Sequence, residues 1–189
     1  MNIGLFFGSF NPLHLGHKLI ASYIVDSTYL DKVCFVVSPQ NPLKIKKSLL
    51  DEHHRLQIIK AEIEDNNKLE VSDIEFSMPI PSYTIDTLVR IKEQHPKNNY
   101  ILIMGSDNLN NFHKWKNYEK IIQDYEIFVY KRPGTQKVKH YSNVTILEGV
   151  PHIEISSSLI RKSIKAGKDV SYFMPEKAWK YMEEMNFYK

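Results

Sequence analysis

Six short apolar runs, Ile3–Phe7, Val33–Ser38, Glu70–Ile74, Tyr100–Met104, Glu126–Tyr130 and Val144–Leu147, punctuate this chain, and most segments between them carry apolar residues at helical spacing. That alternation leaves few folds open. Strands separated by amphipathic helices pair in parallel through right-handed crossovers and carry helices on both faces of the sheet. The first run, with Ile3, Leu5, Phe6 and Phe7, shows no strict polar alternation, which suits a strand covered on both sides. The expected architecture is therefore α/β: a doubly wound, mostly parallel open sheet with its ligand at the carboxyl ends of the strands. With 189 residues and 42% hydrophobic side chains, the expectation is a single domain over 1–189 whose portion from about residue 156 is helical.

At the first such carboxyl end lies Gly8-Ser9-Phe10-Asn11-Pro12-Leu13-His14-Leu15-Gly16-His17. Leu15, Leu19, Ile20, Tyr23 and Ile24 recur at helical spacing behind it, so Gly16 and His17 fall in the first helical turn. The leading N–H groups of a helix have no intrahelical partner and carry partial positive charge, which makes this corner an anion site. His14 and His17, three residues apart, share one face of the turn and can both address one phosphate. A zinc site would need further Cys, His or carboxylate ligands, and the turn contains no Cys, Asp or Glu. Neither the P-loop nor the G-x-G-x-x-G pattern is present there.

Further candidates follow in chain order. Lys44 lies in the proline-bounded loop after the second strand, where a cation reaches a substrate phosphate. Asp51 is expected to cap the next helix, on which Arg55 has two readings: a surface ion pair, or closure over a phosphate. In Pro81-Ser82-Tyr83-Thr84, Ser82 or Thr84 is the expected N-cap of a helix whose free N–H groups again suit an anion. Gly105 and Asp107 stand at the end of the fourth run, where Asp107 is either an N-cap or a ribose or metal-nucleotide ligand. Trp115, between Lys114 and Lys116, is either core or a flat face for a ring. Ser156 or Ser157 caps a later helix, and with Ser158 and Arg161 one turn on this start reads as a second phosphate clamp.

Charge narrows the function classes. Twenty-five Lys and Arg against 22 Asp and Glu give a formal charge of +3, too mild for a nucleic-acid footprint. The lone Cys34 sits in an apolar run and is expected to be a buried thiol. No apolar stretch approaches the roughly 20 residues that span a bilayer, and no basic-then-apolar leader is evident, so the expected location is cytoplasmic, with no membrane partner. Homo-oligomer formation is left open.

The Gly8–His17 string resembles the H-x-G-H signature of nucleotidyltransferases related to class I aminoacyl-tRNA synthetases, and Ile155–Arg161 fits the same superfamily. Pro81–Leu88, Met104-Gly105-Ser106-Asp107-Asn108-Leu109, Trp115 and Lys131-Arg132-Pro133-Gly134 narrow the resemblance to the bacterial nicotinate-nucleotide adenylyltransferases, from Gly4 to Asn186-Phe187-Tyr188. That resemblance implies a Rossmann-like fold and adenylyl transfer from ATP to nicotinate mononucleotide, giving nicotinate adenine dinucleotide and pyrophosphate for NAD synthesis. Magnesium is implied through the nucleotide phosphates, without dedicated protein ligands. It assigns catalytic roles to His14, His17 and Arg161, and ATP contacts to these three with Gly8, Ser9, Phe10, Gly105, Asp107, Ser156, Ser157 and Ser158. Mononucleotide contacts fall to Lys44, Ser82, Tyr83, Thr84 and Trp115. Asn11, Ser158 and Leu159 depart from the family's usual Asp, Thr and polar residue. The alternatives are pantetheine-phosphate adenylyltransferase, which shares the histidine turn but not Ser82–Leu88 or Trp115, and a non-catalytic nucleotide-binding relative.

Overall fold

The computed structural model describes residues 1–40, 49–134 and 141–189. Six strands, β1 (Asn2–Gly8), β2 (Lys32–Val37), β3 (Leu69–Ser72), β4 (Asn99–Gly105), β5 (Glu126–Tyr130) and β6 (Val144–Leu147), form one sheet in the order β3-β2-β1-β4-β5-β6. Every pairing is parallel, with Phe6 opposite both Phe35 and Ile103. The strand order reverses between β1 and β4, the topological switch point where such sheets open a crevice for ligand.

Between the strands run α1 (Leu15–Ser27), α2 (Glu52–Ile63), α3 (Thr84–Gln94), α4 (Ser106–Asn110) and α5 (Tyr118–Asp124), and α6 (Ser157–Lys165) and α7 (Glu176–Glu184) close the chain. Successive strand residues point to opposite faces. Phe6, Phe35, Ile103 and Phe128 therefore enter one core with Ile24 of α1, Ile59 of α2, Ile160 of α6 and Met182 of α7. Leu5, Val36, Leu102 and Val129 enter the other, beneath Leu88 of α3, Leu109 of α4 and Ile121 of α5. Both faces are covered, as the unbroken apolar runs require. Cys34 is buried in the second core, and burial pushes its thiol up to about 12. The helices from residue 157 onward join the first core; α6 reaches the opening turn, and α7 packs against α2.

One element expectation needs correction. The third strand ends at Ser72, and Ile74 opens a 3₁₀ turn, Ile74–Ser77, that leads the chain off the sheet edge. The expected doubly wound, mostly parallel sheet is present, and every pairing in it is parallel among the described residues.

Candidate active site

β1 ends at Gly8 and α1 begins at Leu15, with His14 as its extended N-cap. The intervening loop lies at the carboxyl end of this central strand, and its buried carbonyls need donors from elsewhere. Those donors come from far along the chain. Arg55 Nη1 donates to Ser9 O at 2.6 Å, Arg161 Nη1 to Asn11 O at 2.7 Å and Ser157 Oγ to Pro12 O at 2.9 Å. Asn11 Oδ1 accepts from Tyr188 Oη at 2.5 Å and from the Leu50 N–H at 3.1 Å. Phe10 adopts the left-handed φ of 43° with its ring buried, and a Cβ on Gly8 would stand 2.7 Å from that ring. Glycine at position 8 is thus room for Phe10.

The two histidines lie ring on ring, 3.7 Å between centroids and 25° apart in plane. The His14 N–H donates to His17 Nδ1 at 3.3 Å, so a neutral His17 holds its proton on Nε2. Phe10 meets His17 edge-on at 5.1 Å and fixes the ring from the other direction. Gly16 serves the pair too: a Cβ there would sit 3.1 Å from His14 Nδ1 and Cε1. The space beside Gly16 is filled by the His14 imidazole. His14 is only 6% exposed, and its Nδ1 is buried without a partner among the described residues. Burial first, then the positive charge of Arg132, holds its pKa down at about 4. His14 is a neutral imidazole at pH 7 in the free protein.

At the start of α6, Ser156 is the N-cap and its Oγ accepts from the Leu159 N–H at 3.2 Å. Ser157 reaches back to the Pro12 carbonyl, and Ser158 Oγ accepts from Arg161 Nη2 at 3.3 Å. The three hydroxyls have three separate partners, and the cation among them is Arg161. Leu159 points its side chain outward, 43% exposed, which explains why an apolar residue is tolerated there.

At the end of β4, Gly105 caps α4 and Asp107 follows in its first turn. Asp107 pairs with a residue that the sequence reading left out of the site. Arg132 Nε stands 3.4 Å from Asp107 Oδ1, Arg132 Nη2 donates to Tyr130 Oη at 3.0 Å, and the Arg132 N–H donates to Ser106 Oγ at 2.9 Å. A Cβ on Gly105 would stand 2.5 Å from Asp107 Oδ1 and 2.8 Å from Arg132 Nε. The available signal was a cation two residues beyond the fifth strand, on the same edge as the histidines. The turn-forming Arg132-Pro133-Gly134 masked it.

The expected mononucleotide wall is built differently from its sequence reading. The N-cap of α3 is Tyr83, through its backbone, and not Ser82 or Thr84. Ser82 Oγ instead donates to Glu75 Oε2 at 2.6 Å and Thr87 Oγ1 to Glu75 Oε1 at 2.8 Å. Glu75 is 2% exposed, and a carboxylate that deep holds nearby hydroxyls more strongly than a helix end does. Lys116 Nζ binds the Asp86 carboxylate at 2.9 Å and lies 4.9 Å from the Tyr83 ring centroid, joining this loop to the Trp115 loop. Trp115 is half-buried, edge-on to Phe112 at 5.1 Å. Lys44 lies outside the described residues.

Arg55 follows neither of its two sequence readings. It is completely buried, and among the described residues its guanidinium hydrogen-bonds only to backbone carbonyls. The expected Asp51 cap is present, accepting from the His53 N–H at 2.9 Å.

No three His, Cys, Asp or Glu side chains cluster closely enough to hold a metal among the described residues. No described helix is long and apolar enough to cross a membrane.

A Rossmann-like sheet whose switch-point turn carries a histidine pair, braced by a second helix start bearing an arginine, defines a nucleotidyltransferase, and residues 5–163 match the Cytidylyltransferase-like family. The chain is 50% identical over 191 residues to a Christiangramia forsetii protein named "Probable nicotinate-nucleotide adenylyltransferase", covering 99% of this chain and 98% of that one. A protein of the same name from Flavobacterium psychrophilum is 46% identical over 193 residues, covering 100% of each. The chain belongs to the nicotinate-nucleotide adenylyltransferase family, enzymes of NAD biosynthesis. Its fold also matches that of Plasmodium falciparum nicotinic acid mononucleotide adenylyltransferase complexed with NaAD, with a TM-score of 0.83, 22% identity and coverage of 99% and 97%.

Proposed function

We propose that the protein transfers the adenylyl group of ATP to nicotinate mononucleotide, releasing pyrophosphate, with His14, His17 and Arg161 as its catalytic residues. The observation that carries this reading is the stacked histidine pair in a turn whose carbonyl is held by Arg161. The attacking group is already a phosphate oxygen anion, so the reaction needs neither a base nor a covalent intermediate. What it needs is alignment, and stabilisation of charge on the departing pyrophosphate.

His17 supplies an Nε2–H donor held in place by its own Nδ1 bond and by Phe10. Arg161 keeps donors beyond those spent on Asn11 and Ser158, and a guanidinium suits phosphate oxygens. The backbone of Gly8, Ser9 and Phe10, with the start of α6 at Ser156, Ser157 and Ser158, completes the triphosphate cradle. Gly105 and Asp107 hold the adenosine side, and Arg132 joins them. Ser82, Tyr83, Thr84 and Trp115 form the mononucleotide wall, with Lys44 as its cation.

Mg²⁺ is the expected metal. The turn offers nitrogen donors, whereas Mg²⁺ prefers oxygen, so it would arrive on the triphosphate oxygens and offset their charge. ATP and nicotinate mononucleotide are the partners proposed, in the cytoplasm. A pyrophosphate-release assay tests the reading: ATP with nicotinate mononucleotide must release pyrophosphate, and ATP with phosphopantetheine must not. Tight ATP binding without release would identify a nucleotide-binding relative that does no chemistry.

A further inference from the structure

Arg55 is 0% exposed, and all four of its hydrogen bonds among the described residues end on backbone carbonyls. Nη1 donates to Ser9 O at 2.6 Å and Ser38 O at 2.8 Å, Nη2 to Pro39 O at 3.1 Å, and Nε to Leu50 O at 2.8 Å. A buried guanidinium is costly to desolvate, and burial lowers its pKa. Neutral carbonyls compensate for that less well than a carboxylate would, so stability alone is a poor reason for an arginine here.

The acceptors suggest another reason. Ser9 lies in the histidine turn, Ser38 and Pro39 immediately follow β2, and Leu50 immediately precedes the Asp51 cap of α2. One rigid, planar group therefore ties the turn expected to hold ATP to both ends of the segment that carries Lys44, the residue expected at the mononucleotide. We propose that Arg55 is a positioning residue for adenylyl transfer: it fixes the ATP turn against Ser38, Pro39 and Leu50 in one register, so that the two substrates meet in line. This inference rests on the adenylyl-transfer reading for its kinetic test.

The fork is essential to the argument. Lysine keeps a charge at one point but cannot place donors on carbonyls from three segments at once. Misplacement of reacting groups by about 1 Å costs on the order of 10²-fold in rate. Arg55→Lys, once shown to be folded by near-ultraviolet circular dichroism, is expected to lose at least about tenfold in kcat, while KM for each substrate stays within about threefold. The proposal is overturned if kcat stays within about threefold of wild type, or if the loss is carried by KM for one substrate.

A second measurement on the wild-type protein does not depend on that variant folding. With a non-reacting ATP analogue alone, amide hydrogen exchange should slow at 9–13 and, through Arg55, at 38–40 and 49–51 as well. Protection confined to 9–13 overturns the coupling. If wild-type protein releases no pyrophosphate from ATP and nicotinate mononucleotide, the proposed function fails, while the exchange experiment still reports on Arg55.

Discussion

His14 and His17 stack face to face, 3.7 Å between ring centroids, and the backbone N–H of the first donates to Nδ1 of the second. The pair is unequal. His14 is buried, with its pKa held at about 4, whereas His17 accepts at Nδ1 from the His14 N–H, which leaves a neutral ring its proton on Nε2.

His17→Ala should therefore lower kcat by roughly 10²–10³ while changing KM for the mononucleotide little, because one pre-oriented donor to the departing pyrophosphate is lost. Steady-state kinetics with both substrates checks this, and a kcat within a few-fold of wild type would sink the role.

The folded pKa of His14, about 4, lies below the ordinary histidine value of 6.5, so as pH falls the unfolded chain takes up the proton first. This contribution to stability is fully present above about pH 6.5, falls off between there and about pH 4, and amounts to roughly 3 kcal/mol. Denaturant unfolding at pH 7 and pH 4.5 should show the loss, and His14→Asn should reduce it.

A triphosphate beside His14 raises the imidazole pKa by charge attraction. ATP binding near pH 6 should thus take up protons. Calorimetric titration in buffers of different ionisation enthalpy measures the uptake, and buffer-independent heats would mean that His14 never meets the phosphates.

Arg161→Ala should depress ATP use, and Arg161→Lys should restore only part of it, since lysine keeps the charge but not the fork that spans Asn11 O and Ser158 Oγ. Full recovery with lysine would reduce the role to net charge.

Nicotinate and nicotinamide mononucleotides differ at one ring substituent. The Thr84 and Ile85 N–H groups open α3, where the helix dipole favours a carboxylate, and the amide would present donors to donors. Each such unpaired group costs about 1–3 kcal/mol, so kcat/KM should favour the acid by at least about tenfold. Equal values with the two substrates at saturating ATP would reject this wall. Trp115→Ala should weaken both alike.

The sheet was legible because its strands are buried on both faces, and residues such as Leu102 and Ile103 cannot alternate with polar ones. The histidine turn was legible because its chemistry is local. Arg55 was not: between His54 and Leu56 it looks like any cation on a helix, and only Ser9 and Leu50, brought in by the fold, show that it is covered. Ser82 misled for the same reason. A serine before a helix usually caps it, but Glu75, seven residues upstream, competes for the hydroxyl and wins. Tyr188 was legible as part of a family string but not as a brace on Asn11.

That bond from Tyr188 to Asn11 spans 177 positions of sequence. Local turns form early and long-range closures late, so the Gly8–His17 corner can take shape during synthesis while still missing its last strut. A nascent chain would hold a loose version of the corner until the polypeptide from α6 to Tyr188 had emerged and folded back. Competence to bind nucleotide would then wait until Tyr188 had folded back, and a change that pulls Tyr188 away would leave a folded sheet with a slack corner.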